Sequence, residues 1–217
     1  MKLQAVIFDM DGVIIDSEEL WFKVGKSLLS KYGIDYTEEV RKKIMGMGSK
    51  ETMELIKRTY SIKDSVSSLL EQRDRIVLKV FGNSIIPLIP NAIDFIQMVS
   101  RNGHKMGMAS SSPQELINLV VNRLELASYF SAIVSGDRVS RGKPYPDICL
   151  LTARELQVDN KRCLVFEDSP NGVKAAKNAG MKCIGITTNA SNEELKEADL
   201  LIDSFADLTI EKMMALF

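Results

Sequence analysis

The sequence predicts an α/β fold, a doubly wound parallel sheet interrupted by an inserted all-helical domain. Three observations predict it. From residue 105 onward, short apolar runs rich in β-formers alternate with stretches of helical period, the pattern of a parallel sheet with crossover helices. One more such run, residues 3–8, stands alone at the amino end. Between it and Pro87 the apolar residues keep helical spacing, and no strand-like run occurs. The expected domains are a sheet domain of residues 1–16 and 87–217 and a helical domain of residues 17–86.

The first run reads as a strand buried on both faces, and it stops abruptly at Asp9-Met10-Asp11-Gly12-Val13. Residues 16–32 follow, with Leu20, Trp21, Val24, Leu28 and Leu29 at helical period. Residues 36–80 continue in helical spacing, with Val40/Ile44, Met53/Ile56 and a longer stripe through Leu69, Arg73, Ile76 and Val77. Within them Gly46-Met47-Gly48-Ser49-Lys50-Glu51 begins like a dinucleotide fingerprint. Glu51 stands where the third glycine belongs and no strand precedes it, so a loop between helices is expected. Past Pro87-Leu88-Ile89-Pro90 a helix carries Ile93, Ile96 and Val99 and ends at Gly103. Further strands are expected at 105–110, 132–135, 163–166, 183–186 and 200–202. Ser112-Pro113-Gln114-Glu115 has the form of a capping box opening the helix of Leu116, Ile117, Val120, Val121 and Leu124. Gly180 stands where a helix C′ glycine belongs.

Composition narrows the function classes. A chain of 217 residues with 45% hydrophobic and 26% charged residues is an ordinary globular protein. A net charge of −1 gives no basic field to attract nucleic acid or an anionic membrane. No apolar run approaches a membrane span, and no signal-peptide pattern is present, so a cytoplasmic location is expected. Cys149, Cys163 and Cys183 are odd in number and widely spaced, which reads as reduced core thiols. The Asn189-Ala190-Ser191 glycosylation pattern means nothing without secretion. His104 is the only histidine; it excludes multi-histidine metal sites and is expected at the surface in a helix-to-strand turn.

Four strand ends can meet at one edge of such a sheet, the edge where open α/β sheets bind ligands. Asp9 and Asp11 are two anions that repel unless a cation lies between them, which points to a hard, oxygen-ligated metal such as Mg²⁺. An ordinary turn is the alternative on that stretch alone. An EF-hand is excluded, because Gly12 is fourth in the loop and follows a strand. Ser110-Ser111-Ser112 precedes a helix whose free N–H groups favour an anion; Ser112 reads equally as the helix cap, whereas Ser110 comes too early for one. Lys143, between Gly142 and Pro144, is either a surface lysine or one aimed inward by a constrained backbone. Glu167 and Asp168 again end a buried strand in two acids, with Ser169 and Pro170 set to start a helix.

Taken together, Asp9-Met10-Asp11-Gly12-Val13, Ser110, Gly142-Lys143-Pro144-Tyr145-Pro146-Asp147 and Glu167-Asp168-Ser169-Pro170-Asn171-Gly172 resemble, in order, the four motifs of the haloacid dehalogenase superfamily. The chain is similar over essentially its whole length to the phosphatase and phosphomutase branch, whose Rossmann-like core carries an α-helical cap between the first two motifs. The resemblance implies Mg²⁺-dependent phosphoryl transfer through an aspartyl-phosphate. Asp9 is then the nucleophile and Asp11 the general acid/base. The metal is held by the Asp9 carboxylate, the Asp11 carbonyl, Asp168 and, directly or at one remove, Glu167. Lys143 bridges Asp9 and the phosphate, and Ser110 binds a phosphate oxygen with Ser111 and Ser112 beside it. The insertion, leaving just after the Asp9 loop, is expected to act as a lid. Its candidate substrate contacts are Glu18, Trp21, Met45, Met47, Gly48 and Lys50, with Trp21 and the methionines read equally as cap core.

Haloacid dehalogenases proper usually lack the second aspartate, so Asp11 argues against that activity. Mutases of this branch carry a histidine on the first cap helix, where Trp21 stands here, and a cap-loop arginine, for which Lys50 is the nearest equivalent with a one-residue offset. These departures favour hydrolysis of a small phosphorylated metabolite, a sugar phosphate, over mutase activity. A phosphomutase is the alternative, and a binding protein without turnover a more distant one. A monomer is expected, with no nucleic-acid or membrane partner.

Overall fold

The structure, a computed structural model, describes residues 2–44 and 47–217, so Met45 and Gly46 lie outside the described residues. In chain order its first elements are β1 (Ala5–Phe8), α1 (Glu18–Ser30), α2 (Glu38–Ile44), α3 (Ser49–Thr59) and α4 (Val66–Asn83). Then follow α5 (Ala92–Arg101), β2 (Lys105–Ser110), α6 (Gln114–Arg123), β3 (Ala132–Ser135) and α7 (Asp147–Leu156). The last are β4 (Cys163–Glu167), α8 (Pro170–Asn178), β5 (Lys182–Ile186), β6 (Leu200–Ile202) and α9 (Ile210–Met214). The strands form one parallel sheet in the order β3-β2-β1-β4-β5-β6. This is the α/β, doubly wound arrangement expected from the alternation of runs. The chain builds outward from β1 through β2 and β3, then returns to β1's other side at β4, so the sheet's switch point lies at β1.

The strand β1 is apolar at every position, and β4 is apolar up to its terminal Glu167, because both faces are covered. Phe8 and Phe166 are register partners, and their rings stack at 5.1 Å. Phe95 of α5 meets both edge-on, at 6.2 and 5.2 Å, and Phe205 closes the cluster 4.8 Å from Phe95. Ile7 and Val165, one residue earlier on the same two strands, point the opposite way into a core with Ile148 and Cys149 of α7 and Val173 and Ala176 of α8. Cys149, Cys163 and Cys183 are buried and free, as expected; burial pushes the first two up to about 12, which makes them inert. Gly180 takes φ +71 just past α8. His104 is partly buried rather than simply at the surface, and that burial, with Lys2 nearby, lowers its pKa.

The chain divides into two compact units, Met1–Asp16 with Pro87–Phe217, and Ser17–Ile86. In the sheet unit the points of exit and return are paired: Asp16 N donates to Pro87 O at 2.9 Å, and Ile89 N to Ile14 O at 3.0 Å. Among the described residues, the regular structure of the second unit is helical. Leu20, Val24, Leu28 and Leu29 of α1 are buried, as are Leu69, Arg73, Ile76, Val77 and Phe81 of α4, whose helix runs one turn beyond the expected stripe. The Tyr32 hydroxyl and Gln72 Nε2 both donate to Asp64 Oδ2, at 2.7 and 2.9 Å, tying the end of α1 to the α3–α4 connection. No described helix is long and apolar enough to cross a membrane.

Phe166 touches three other rings and is fully buried. Phe166→Ala should therefore destabilise the protein by roughly 3–5 kcal/mol, read as a lower urea midpoint at unchanged m-value.

Candidate active site

The site grows from the switch point. The ladder of β1 runs one bond past the strand, Asp9 N donating to Phe166 O at 3.0 Å, and the chain then turns sharply. Ile14 N and Ile15 N both return to Met10 O, at 2.9 and 3.1 Å, and Gly12 takes φ +73. A side chain at Gly12 would be strained and would also overlap the Asp168 carboxylate. The two expected acid-ended strands therefore lie side by side, and their carboxylates converge. One oxygen each of Asp9, Glu167 and Asp168 lie within 4.8 Å of one another, and all three residues are buried.

Lys143 is the inward-aimed lysine, with its side chain only 7% exposed. Its Nζ stands 3.2 Å from Asp9 Oδ1, forms a short ion pair with Glu167 Oε1 and donates to Ala109 O at 3.1 Å. Glu167 is fully engaged: Oε2 accepts from Asp168 N at 3.1 Å, Ser169 N at 3.3 Å and Ser169 Oγ at 3.0 Å. It can approach the start of α8 this closely only because residue 172 is glycine, where a Cβ would overlap the carboxylate. Ser169 is also the N-cap of α8, its Oγ accepting from Gly172 N at 3.1 Å with Pro170 in the first turn.

The β2 end departs from expectation. Ser112 does not cap α6. Its hydroxyl donates to Asp11 Oδ2 at 2.7 Å, and the first-turn amide of Gln114 is taken instead by Asp137 Oδ2 at 2.9 Å. Asp137 becomes available because β3 lies beside β2 and turns at Gly136. Ser110, 1% exposed, accepts from Ser112 N at 3.1 Å, so it shapes the turn that brings Ser112 to Asp11. Ser135 Oγ holds Ser112 O at 2.7 Å, and Ser111 is exposed.

Crowding of like charges dominates the electrostatics. Burial, opposed by Lys143 and reinforced by Glu167, Asp168 and Asp11, raises the Asp9 carboxyl well above the usual range. Burial and then Glu167 push Asp168 up to about 7, against the Asn189 amide and Lys143. Burial alone would lower Lys143, but Asp9 and Glu167 outweigh it and hold the ammonium protonated. Asp9 Oδ1 is buried without a hydrogen bond. An all-oxygen donor set with surplus negative charge and a buried carboxylate oxygen that accepts no hydrogen bond fits a hard divalent cation, Mg²⁺ above the softer metals.

A family model for haloacid dehalogenase-like hydrolases matches residues 6–186. The chain belongs to this family. As a haloacid dehalogenase-like hydrolase it is an enzyme of the phosphoric monoester hydrolase class. The phosphorylated carbohydrates phosphatase of Thermotoga maritima is 35% identical over 191 residues, 88% of each chain. The beta-phosphoglucomutase of Bacillus subtilis is 30% identical, covering 96% of this chain and 93% of its own. Crystalline CbbY from Rhodobacter sphaeroides, in complex with xylulose-(1,5)bisphosphate, superposes with a TM-score of 0.86 at 29% identity, over 95% of this chain and 96% of that one.

In this haloacid dehalogenase-like hydrolase the sheet unit gathers Asp9, Asp11, Ser110, Ser112, Lys143, Glu167 and Asp168 at one edge. The other candidates belong to the helical unit. Glu18 opens α1 and pairs with Arg41. Trp21 meets Phe81 edge-on at 5.4 Å, as a core residue would. Met47 and Gly48 lie between α2 and α3, with Gly48 at the N-cap of α3, and Lys50 is exposed in its first turn. Met45 lies outside the described residues. Two contributors went unread in the sequence, Thr188 and Asn189, which follow β5: Thr188 Oγ1 donates to Gly12 O at 2.7 Å and Asn189 Nδ2 to Asp168 Oδ2 at 2.8 Å. The signal that finds them is their place at the carboxyl end of a fifth parallel strand.

Without metal, Asp168 costs stability in a defined pH window. Below its ordinary value of 3.8 the carboxyl is protonated folded or unfolded; between 3.8 and about 7 only the folded chain keeps the proton, so stability falls as pH rises. Asp168→Asn in chelator should therefore gain little near pH 4 and on the order of 2 kcal/mol at pH 8, measured by urea denaturation; a gain independent of pH would contradict the repulsion.

Proposed function

We propose that this chain hydrolyses a small phosphate monoester, a phosphorylated sugar, through a phospho-Asp9 intermediate with Mg²⁺ bound. The observation that carries this reading is the Asp9 carboxylate, buried at the end of β1, its Oδ1 without a hydrogen bond and ion-paired to the Lys143 ammonium 3.2 Å away. Asp9, Asp168 and the Asp11 carbonyl are the groups assigned to hold Mg²⁺, which when bound neutralises charge between carboxylate and phosphate dianion. Glu167, whose two oxygens already accept bonds, acts by fixing Lys143.

In the first step an Asp9 carboxylate oxygen attacks phosphorus in line, forming an acyl phosphate as the bond to the sugar oxygen breaks. Asp11 gives its proton to that leaving oxygen. It then takes a proton from the water that attacks phospho-Asp9, so that inorganic phosphate leaves and the Asp9 carboxylate returns. Lys143 balances charge at the equatorial oxygens, with the hydroxyl of Ser110 and the backbone N–H of Ser111 as further donors. The helical unit, with Glu18, Trp21, Met47, Gly48 and Lys50 as candidates, is assigned the recognition of whatever lies beyond the phosphate. The identity to a phosphorylated carbohydrates phosphatase supports the sugar reading. The 30% identity to a beta-phosphoglucomutase is the observation that favours a second one, phosphoryl transfer between two hydroxyls of a sugar. Trp21, in the place expected for the mutases' histidine, supports hydrolysis.

Asp9→Asn should abolish Mg²⁺-dependent release of p-nitrophenol from its phosphate ester while leaving the circular dichroism spectrum unchanged; retained turnover would remove Asp9 as nucleophile. With hexose 6-phosphates and no bisphosphate primer, the wild-type chain should release inorganic phosphate, and EDTA should stop it. Interconversion of glucose 1- and 6-phosphate without phosphate release, followed by ³¹P NMR, would instead establish the mutase.

A further inference from the structure

The loop after β5 carries two residues that the hydrolytic scheme leaves unused. Thr188 ties the loop to Gly12 O, and Asn189 reaches past it to Asp168 Oδ2. Both work in the gap that glycine opens. A Cβ at residue 12 would overlap the Asp168 carboxylate and stand 2.5 Å from Asn189 Nδ2. A single amide therefore meets the same carboxylate that closes the acidic cluster.

We propose that Asn189 is a positioning residue for the divalent cation: it fixes the Asp168 carboxylate by one oxygen, presents the other to the metal, and does so without removing charge. This deepens the proposed Mg²⁺ reading and rests on it. The torsion that swings a carboxylate about its Cβ–Cγ bond is soft, so an unheld Asp168 samples many planes. A bond of 2.8 Å to Oδ2 removes that freedom, and Oδ1 accepts no hydrogen bond from the described residues. Partners of this kind behind a metal ligand set its orientation and hence its affinity.

The choice of a neutral donor follows from charge. Three clustered carboxylates, with Asp11 beside them, outnumber the ammonium of Lys143 and leave a negative surplus that suits a divalent cation. A lysine at position 189 would make the same bond and reduce that surplus. The Asn189 bond is also not what holds the loop, because Thr188 already anchors it to the turn after β1.

Titration of the full chain with Mg²⁺ in a calorimeter, without substrate, tests the proposal. Asn189→Ala should weaken Mg²⁺ binding by roughly 10–100-fold, while kcat recovers as Mg²⁺ is raised and the substrate KM at saturating Mg²⁺ stays put. Asn189→Ser, with a hydroxyl too short to span the gap, should behave alike should the alanine variant fold poorly. Thr188→Ala, which loosens the loop but leaves the amide in place, should weaken Mg²⁺ binding less than Asn189→Ala does. Wild-type Mg²⁺ affinity in a folded Asn189→Ala or Asn189→Ser chain would overturn the proposal and leave the phosphatase reading standing. A wild-type chain that binds no Mg²⁺ would overturn both.

Discussion

Burying three carboxylates around one ammonium is the constraint from which the site's other features follow. Each acid removed from water loses hydration, and its neighbours make ionisation harder still, so the cluster holds together only where something balances it. Lys143 supplies part of that balance, paired to Asp9 and Glu167 from a loop that belongs to neither strand. The surrounding groups are mostly neutral donors: the amides of residues 168 and 169, the Ser169 hydroxyl and the Asn189 amide. They orient the anions and leave the negative charge in place.

The sheet makes this crowding tolerable by making it rigid. β1 and β4 are neighbours whose Phe8 and Phe166 stack one residue before the acids begin, so the carboxylates issue from a backbone clamped on both faces. Two glycines give them room, one at the turn after β1 and one in the first turn of α8, and in both places a single carbon would overlap a carboxylate. The acids and the glycines are thus one device.

Much of this was legible in the sequence, for a physical reason. A strand buried on both faces is apolar along most of its length, so 105–110 and 132–135 read at once as β2 and β3, and an acid ending such a run stands out. What stayed hidden depends on partners remote along the chain. Ser112 had every local mark of a helix cap, yet a carboxylate 23 residues from Gln114 takes that place, and the hydroxyl turns to Asp11, 101 residues away. Asn189 looked like a modification pattern because its partner lies 21 residues back, across a strand pairing that spacing alone does not fix. His104 followed a glycine in a turn, and only the fold shows that it is partly covered.

The paired stem at Asp16–Pro87 and Ile14–Ile89 has a consequence for how such proteins diversify. Because the two ends of the excursion are already hydrogen-bonded neighbours, whatever is strung between them adds only the slowly growing entropy of a closed loop. β1 and its acids keep their register whether the excursion is long or short. The acid-bearing turn and the helical unit are therefore separable stretches of polypeptide, free to change at different rates.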